Sequence, residues 1–138
     1  MTGSNQSTPR HTITVETDFV AQHYLTVPDP EPPEGEVHSH HYTVEITLGA
    51  SELGEHGYLV DINELEAITD EIDSRFRDRT LNELRIFPDG NPSLERFAAV
   101  ISDLVASTLC TDVPTTLTVG VREDDVAWTH HRRRLDDG

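Results

Sequence analysis

The chain has 138 residues and a formal net charge of −16, because 26 acidic residues face only ten basic ones, all of them Arg. Such a charge on so small a protein would repel a nucleic-acid backbone, and no apolar run is long enough to cross a membrane. No secretory signal is visible, so we expect one cytoplasmic domain without a nucleic-acid or membrane partner.

The acid-rich composition resembles that of proteins from extremely halophilic archaea, in which the whole surface is adapted to a salt-rich cytoplasm. An acidic binding surface is the alternative interpretation of the same charge. The single cysteine, Cys110, cannot form a disulfide within the chain, which agrees with a reducing compartment.

The N-terminal half of the chain predicts a polar tail followed by two strands. Residues 1–10 lack periodicity and are predicted to be disordered, ahead of a single domain at 11–135. Four prolines and a glycine between residues 27 and 36 exclude regular structure, and strands joined by such a loop are expected to be antiparallel neighbours. The alternating inward rows are Ile13, Val15, Thr17 and Phe19 before the loop, and Tyr42, Val44, Ile46 and Leu48 after it.

Apolar residues spaced three and four apart predict two amphipathic helices in the middle of the chain. Asp61 is the candidate N-cap of the first helix, and Asn91 or Ser93 can cap the second. Cys110 falls at the end of the second helix and is predicted to be a small packing residue rather than a nucleophile. The expected buried stripes are Ile62, Leu65, Ile68, Ile72 and Phe76, then Leu94, Phe97, Ala98, Ile101, Leu104, Val105 and Leu109.

The last part of the chain predicts a β-hairpin, in which "TLTVGVRE" and "VAWTHHRRR" are joined by a short "EDD" link. The element order is then β-β-α-α-β-β, and the strands are half polar. This order indicates an α+β fold, with a four-stranded antiparallel sheet that carries two helices on one face.

Three histidines are predicted to lie on the inward side of the first two strands, near the Pro-rich loop. His38 and His40 are two residues apart and point to one side, whereas His41 points away, and His23 continues the inward row of the first strand. Imidazoles buried without partners would be costly, but one ion would satisfy all three. Three nitrogen ligands without a fourth from the protein are typical of zinc with an open coordination position. A solvated His-x-His strand is the alternative.

The remaining histidines are interpreted as solvated or locally hydrogen-bonded. They are His11, His56, His130 and His131. His130 shares the predicted inward phase of Trp128, so it is the one that could instead face the core.

Glu123 ends the inward row of the third strand. A buried carboxylate requires a partner, and a ligand with two adjacent N–H donors would supply one through paired hydrogen bonds. The alternative is an acid at the end of a strand that reaches water.

Six short motifs, in order over about residues 11 to 135, resemble the family of 6-pyruvoyl-tetrahydropterin synthases and 6-carboxytetrahydropterin synthases, the latter belonging to queuosine biosynthesis. The motifs are FVAQH (19–23), HSHHY (38–42), GYLVDI (57–62), LN (81–82), NPSLE (91–95) and VREDDVAW (121–128).

The resemblance implies a T-fold subunit that binds Zn2+ through His23, His38 and His40 and recognises a pterin ring through Glu123. It implies a homo-oligomer, often a hexamer of two stacked trimers, with sites at the subunit boundaries. The implied substrate is 7,8-dihydroneopterin triphosphate and the implied enzyme is a lyase, in which zinc polarises the hydroxyl groups of the substrate side chain.

The sequence departs from the family at the catalytic positions. Glu34 stands where the family has a cysteine base, and Arg77 and Asp78 stand where it has an Asp-His pair. One branch of the family uses a glutamate near the lost cysteine and cleaves the substrate side chain, so Glu34, or Glu36, is a candidate general base, and a solvated carboxylate of the acidic loop is the alternative. Asp78 is a candidate relay acid, and an ion pair with a neighbouring Arg is its alternative role.

Three functions are therefore compatible with the sequence. The first is a zinc-dependent pterin enzyme that acts by proton abstraction and side-chain elimination or cleavage. The second is a zinc-containing pterin-binding protein that has lost turnover. The third is a His-rich metal buffer, which would bind several ions per chain.

Overall fold

The computed structural model describes residues 8–29, 32, 35–87 and 91–136. Glu34 and most of the predicted disordered tail lie outside the described residues. The regular elements are strand β1 (His11–His23), strand β2 (His38–Ala50), helix α1 (Ile62–Phe76), a 3-10 turn (Leu81–Glu83), helix α2 (Leu94–Thr108), strand β3 (Thr116–Glu123) and strand β4 (Ala127–Arg134).

The four strands form one antiparallel sheet in the order β1-β2-β3-β4. This topology confirms the predicted α+β fold and the antiparallel pairing of the first two strands. The register sets His23 opposite His38 and Tyr42 opposite Glu123. Because side chains alternate across a strand, these four residues all lie on one face of the sheet.

Both helices cover that face. Helix α1 packs on β1, and helix α2 packs on β3 and β4. Aromatic rings from both layers meet at Phe97, whose ring centroid lies 5.0 Å from that of Phe76 and 5.1 Å from that of Tyr42. The burial of these rings contributes much of the stability of the fold.

The helix caps and most of the predicted stripes are confirmed. Asp61 accepts a hydrogen bond from the amide of Asn63, and Ser93, rather than Asn91, accepts one from Arg96. The prediction for Ile62 is wrong, because its side chain is 54% exposed. Ile62 is the first residue of α1, and helical side chains point back toward the N-terminus, so it reaches beyond the core.

The prediction for Cys110 as a packing residue is also wrong, because Cys110 is exposed. Helix α2 ends at Thr108, with Leu109 as its C-cap. Cys110 therefore lies beyond the helix, so the helical spacing that predicted its burial does not apply to it. The amide of Cys110 instead donates a hydrogen bond to a carboxylate oxygen of Glu64.

The inward phase predicted for Trp128 and His130 is wrong as well. Trp128 pairs with Arg122, and His130 pairs with Gly120, on the face of the sheet that the helices leave open. The ring of His130 lies over Gly120, where a Cβ atom would approach it to 3.0 Å. Edge strand β4 alternates between exposed and partly exposed residues and has no fully buried row, so hydrophobicity does not fix its phase.

No helix in the described parts of the chain is long and apolar enough to cross a membrane.

Candidate metal centre

Three histidines meet where β1 ends and β2 begins. The ring centroids of His23, His38 and His40 are 4.7 to 4.8 Å apart, and the ring planes meet at angles of 64° to 82°. One nitrogen from each ring lies within 4.8 Å of the others. Imidazole nitrogens bound to a common zinc lie about 3.3 Å apart, so the cluster fits the ion after side-chain movements of roughly 1 Å.

The Nδ1 atoms of two of these rings are held by acceptors. His38 Nδ1 lies 2.7 Å from the carbonyl oxygen of Glu36, and His40 Nδ1 lies 2.6 Å from Oδ2 of Asp124. Neither acceptor can donate a proton at neutral pH, so each Nδ1 carries the hydrogen. In the neutral form of these rings, the Nε2 atoms of His38 and His40 then carry the lone pair that a metal requires.

The third ring, that of His23, is buried, with 6% of its surface exposed. Burial lowers its pKa to about 4, assisted by the neighbouring rings of His40 and His38, while the backbone of Pro92 and the charge of Asp124 act in the opposite direction. His23 is therefore neutral at pH 7, which is the form that binds a metal ion.

A carboxylate closes one side of the cluster. Glu123 Oε1 lies 4.0 Å from Nε2 of His23 and 3.8 Å from Nε2 of His40. The structure therefore brings Glu123 to the three histidines, as its place on the inward row predicted. Its side chain is 29% exposed and so remains open to a ligand.

A buried phenol lies one step further along the inward row of β2. The hydroxyl group of Tyr42 is buried and has no hydrogen-bond partner among the described residues. Burial, followed by the charges of Glu123 and Asp124, raises the pKa of Tyr42 above its ordinary value. The phenol therefore keeps its proton and has a free donor beside the cluster.

Two amide side chains brace the chain that follows His23. Asn82 Oδ1 accepts a hydrogen bond from the amide of Tyr24 at 2.9 Å, and its Nδ2 donates one to the carbonyl of Tyr24 at 2.8 Å. Asn91 Oδ1 accepts from the amide of Thr26 at 3.4 Å. Both residues belong to the sequence motifs, and their hydrogen bonds fix the chain that follows the end of β1.

The candidate catalytic residues lie outside the cluster or outside the described residues. Glu36 is exposed and reaches the cluster through its backbone carbonyl, and Glu34 lies outside the described residues. Asp78 is exposed, and its amide donates to the carbonyl of Val20 on the outer edge of β1 at 2.7 Å. Within the described chain its carboxylate has no hydrogen bond to the histidines.

Asp124 is the site residue that the sequence did not reveal. The "EDD" link predicted a turn, and nothing in the motif showed that one of its carboxylates contacts His40, 84 residues away along the chain. The positive φ of 51° at Asp124 directs that side chain back toward β2. The only signal in the sequence was that a second carboxylate, Asp124, directly follows Glu123.

Comparison with known proteins supports one family. A sequence model of 6-pyruvoyl tetrahydropterin synthase matches residues 12–134 of this chain. The structure of the Caenorhabditis elegans 6-pyruvoyl tetrahydropterin synthase is similar, with a TM-score of 0.73 and 17% identity, covering 89% of this chain and 95% of that one. No curated protein matches by sequence.

Two Plasmodium structures share the same fold. A catalytic-residue mutant of the Plasmodium vivax 6-pyruvoyltetrahydropterin synthase, with alanine in place of a glutamate, has a TM-score of 0.70 and 14% identity, covering 90% of this chain and 98% of that one. The Plasmodium falciparum enzyme has a TM-score of 0.69 and 14% identity, with the same coverage of 90% and 98%. These likenesses confirm the fold of the subunit.

Proposed function

This chain belongs to the 6-pyruvoyl tetrahydropterin synthase family, and from this premise we propose that it is a zinc-dependent pterin enzyme. Its substrate is 7,8-dihydroneopterin triphosphate or a close relative, and its reaction is proton abstraction followed by elimination or cleavage of the side chain. The observation that carries the proposal is the meeting of three imidazoles beside the carboxylate of Glu123.

In this proposal His23, His38 and His40 hold the zinc ion. Bound there, zinc supplies a Lewis acid that polarises the hydroxyl groups of the substrate side chain and makes the neighbouring C–H protons easier to remove. The neutral His23 and the fixed tautomers of the other two rings prepare the chain for this task.

Glu123 is the proposed anchor of the pterin ring. A pterin presents its 2-amino group and its N3–H side by side, which matches the two oxygens of one carboxylate. The carboxylate of Glu123 lies next to the histidines and is partly exposed. A ring bound there would place its side chain close to the metal ligands.

The proposed proton transfers use carboxylates. Glu34 is the proposed base and Glu36 its alternative, and the catalytic glutamate substituted in the Plasmodium vivax enzyme shows that a relative uses this type of residue. Asp78 is the proposed acid. It lies along the outer edge of β1, where a neighbouring subunit would bring another active site close to it.

Assembly into a ring of subunits, often two stacked trimers, is the proposed oligomeric state. Strands β1 and β4 are the two edges of the sheet. The exposed part of β1 carries Glu16 and Asp18, while β4 carries exposed Arg132 and Arg134. Edges of opposite charge favour head-to-tail pairing between copies, and such a contact forms a ring when the rotation from one copy to the next closes. In this proposal residues 11–135 form one domain of a cytoplasmic enzyme whose acidic surface suits a salt-rich cell.

The proposal is tested with purified, zinc-loaded protein and 7,8-dihydroneopterin triphosphate, with the pterin products separated by chromatography. The expected result is a new pterin whose formation stops in Glu34→Ala and persists in Glu36→Ala. Both variants must retain zinc, because a variant that loses the ion reports on the metal site instead. Turnover that is unchanged in Glu34→Ala would assign the base to another residue.

A pterin-binding protein without turnover is the second candidate, favoured by Glu34, Arg77 and Asp78 at the family's catalytic positions. It predicts binding of the substrate and its recovery unchanged. A metal buffer predicts several ions per chain and no pterin binding.

A further inference from the structure

Asp124 is the first residue of the turn between β3 and β4, and it is fixed to β2 by three hydrogen bonds. Its Oδ2 lies 2.6 Å from Nδ1 of His40, and its Oδ1 accepts from the amide of His41 at 2.9 Å. Its own amide donates to the carbonyl of His41 at 2.6 Å. The carboxylate is thus held in place independently of the ring that it contacts.

An ionised carboxylate can only accept hydrogen bonds, so both oxygens of Asp124 act as acceptors toward the groups that they contact on β2.

A neutral imidazole has two tautomers, and only one of them places the lone pair on Nε2. We propose that Asp124 is a positioning residue that keeps the hydrogen of the neutral His40 ring on Nδ1, so that Nε2 is available to the metal. The inference rests on the proposed function, because it gives Asp124 its role through that metal site. A negative partner also makes the ring a stronger ligand.

The three rings differ in how they are oriented, and this difference gives Asp124 its importance. His38 is oriented by a backbone carbonyl, which no side-chain substitution removes. His23 Nδ1 is buried, no side chain in the described part of the chain bonds to it, and the backbone of Pro92 is the polar group that acts on this ring. His40 alone among them depends on the side chain of another residue in the described structure, so its orientation can be changed by one substitution.

The test uses Asp124→Asn, with Asp125→Asn as a matched control. Asn tolerates a positive φ as Asp does, so the turn is retained in the variant. An amide in place of the carboxylate offers its NH₂ group to His40 and thereby favours the hydrogen on Nε2, which blocks the metal. Asp125 is the next residue, its side chain is 96% exposed, and its substitution removes the same charge.

Two measurements are made on the wild type and both variants. The first is the zinc dissociation constant, obtained by competition with a chromophoric chelator. The second is the tautomer of His40 in the zinc-free protein at about pH 8, where an ordinary imidazole is neutral, read from ring nitrogen shifts in an NMR spectrum assigned with His40→Gln.

The expected result is a hydrogen on Nδ1 in the wild type and in Asp125→Asn, and a shift toward Nε2–H in Asp124→Asn. Zinc binding in Asp124→Asn should weaken by about 10- to 100-fold, whereas Asp125→Asn should stay within about twofold of the wild type. Asp124→Gly, which removes both acceptors and suits a positive φ, should resemble Asp124→Asn in affinity.

The inference is overturned if the wild-type ring carries its hydrogen on Nε2. It is also overturned if Asp124→Asn leaves either the tautomer or the zinc affinity unchanged. A wild type that binds no zinc contradicts the proposed function instead, and the tautomers in the zinc-free proteins then still decide whether Asp124 orients His40. If Asp124→Asn does not fold, a wild-type hydrogen on Nε2 still overturns the inference, and Asp124→Gly provides the comparison of zinc affinity.

Discussion

Histidines cluster at two places on the sheet, and among the described residues only one of these clusters brings together three side chains that could hold a metal ion. At the junction of β1 and β2, His23, His38 and His40 come from two paired strands and face each other. On β4, His130 and His131 are adjacent in sequence and therefore point to opposite faces. A site needs same-face residues from neighbouring strands, which a high histidine content alone does not provide.

The second difference between the two places lies in the partners of the rings. His38 and His40 each have an acceptor for Nδ1, which leaves Nε2 for a ligand. His130 is stacked on Trp128 with ring centroids 5.8 Å apart, and His131 Nδ1 is buried without a partner among the described residues. The rings on β4 therefore contribute to packing, whereas the three rings at the strand junction are placed so that they could hold a metal ion.

The largest difference between the two places is expected when one imidazole ring is removed from each and zinc binding is measured. We expect His38→Ala to weaken zinc binding by more than about 100-fold, because a ligand matters more than the residue that orients it. Zinc dissociation constants from chelator competition provide the measurement. His130→Ala is the matched control and should bind zinc as the wild type does. Equal losses in both variants would show that the histidines act as a general metal buffer.

Glu123→Gln tests pterin binding separately from metal binding at the strand junction. The amide keeps the shape of the side chain but presents one donor to the paired N–H groups of a pterin, so we expect pterin affinity to fall by about 10- to 100-fold. Calorimetric titration of the zinc-loaded protein with a non-reactive pterin provides the measurement. Zinc content should not change, and pterin binding at wild-type strength would remove Glu123 from the site.

Asn82→Ala tests the brace that fixes the strand end next to His23. The substitution leaves the amide and carbonyl of Tyr24 without their partner, so we expect the free energy of unfolding to fall by about 1 to 2 kcal/mol. Denaturant unfolding of the zinc-free protein provides the measurement. Asn63→Ala, at an exposed position of α1, should stay within about 0.5 kcal/mol of the wild type. A similar loss in both variants would contradict the role of Asn82.

The smallest effect is expected at the other place, on the open face of the sheet. His130→Ala removes one ring from a stack with Trp128, and both residues are exposed, Trp128 to 37%. We expect a loss of about 0.5 kcal/mol or less in the free energy of unfolding. Thermal unfolding at fixed protein concentration provides the measurement, and a loss of several kcal/mol would show that β4 has a structural role that its exposure does not indicate.

The sequence predicted the histidine site because side chains alternate along a strand, so buried residues in one part of a strand fix the face on which later residues lie. Phe19 and Tyr42 are fully buried and fix the phase of β1 and β2, so His23 and His40 follow on the same face. The sequence did not predict Asp124, because its role depends on a positive φ in a turn and on a contact 84 residues away. Trp128 was placed on the wrong face because an exposed edge strand has no buried row to fix its phase.

The most direct test of the metal centre is X-ray absorption spectroscopy of the purified protein loaded with zinc, together with metal counting by native mass spectrometry. We expect one zinc per chain with three imidazole nitrogens at about 2.0 to 2.1 Å and a further light-atom ligand. One imidazole fewer should be found in His38→Ala at saturating zinc. Several ions per chain, or a coordination sphere without three imidazoles in the wild type, would contradict the account.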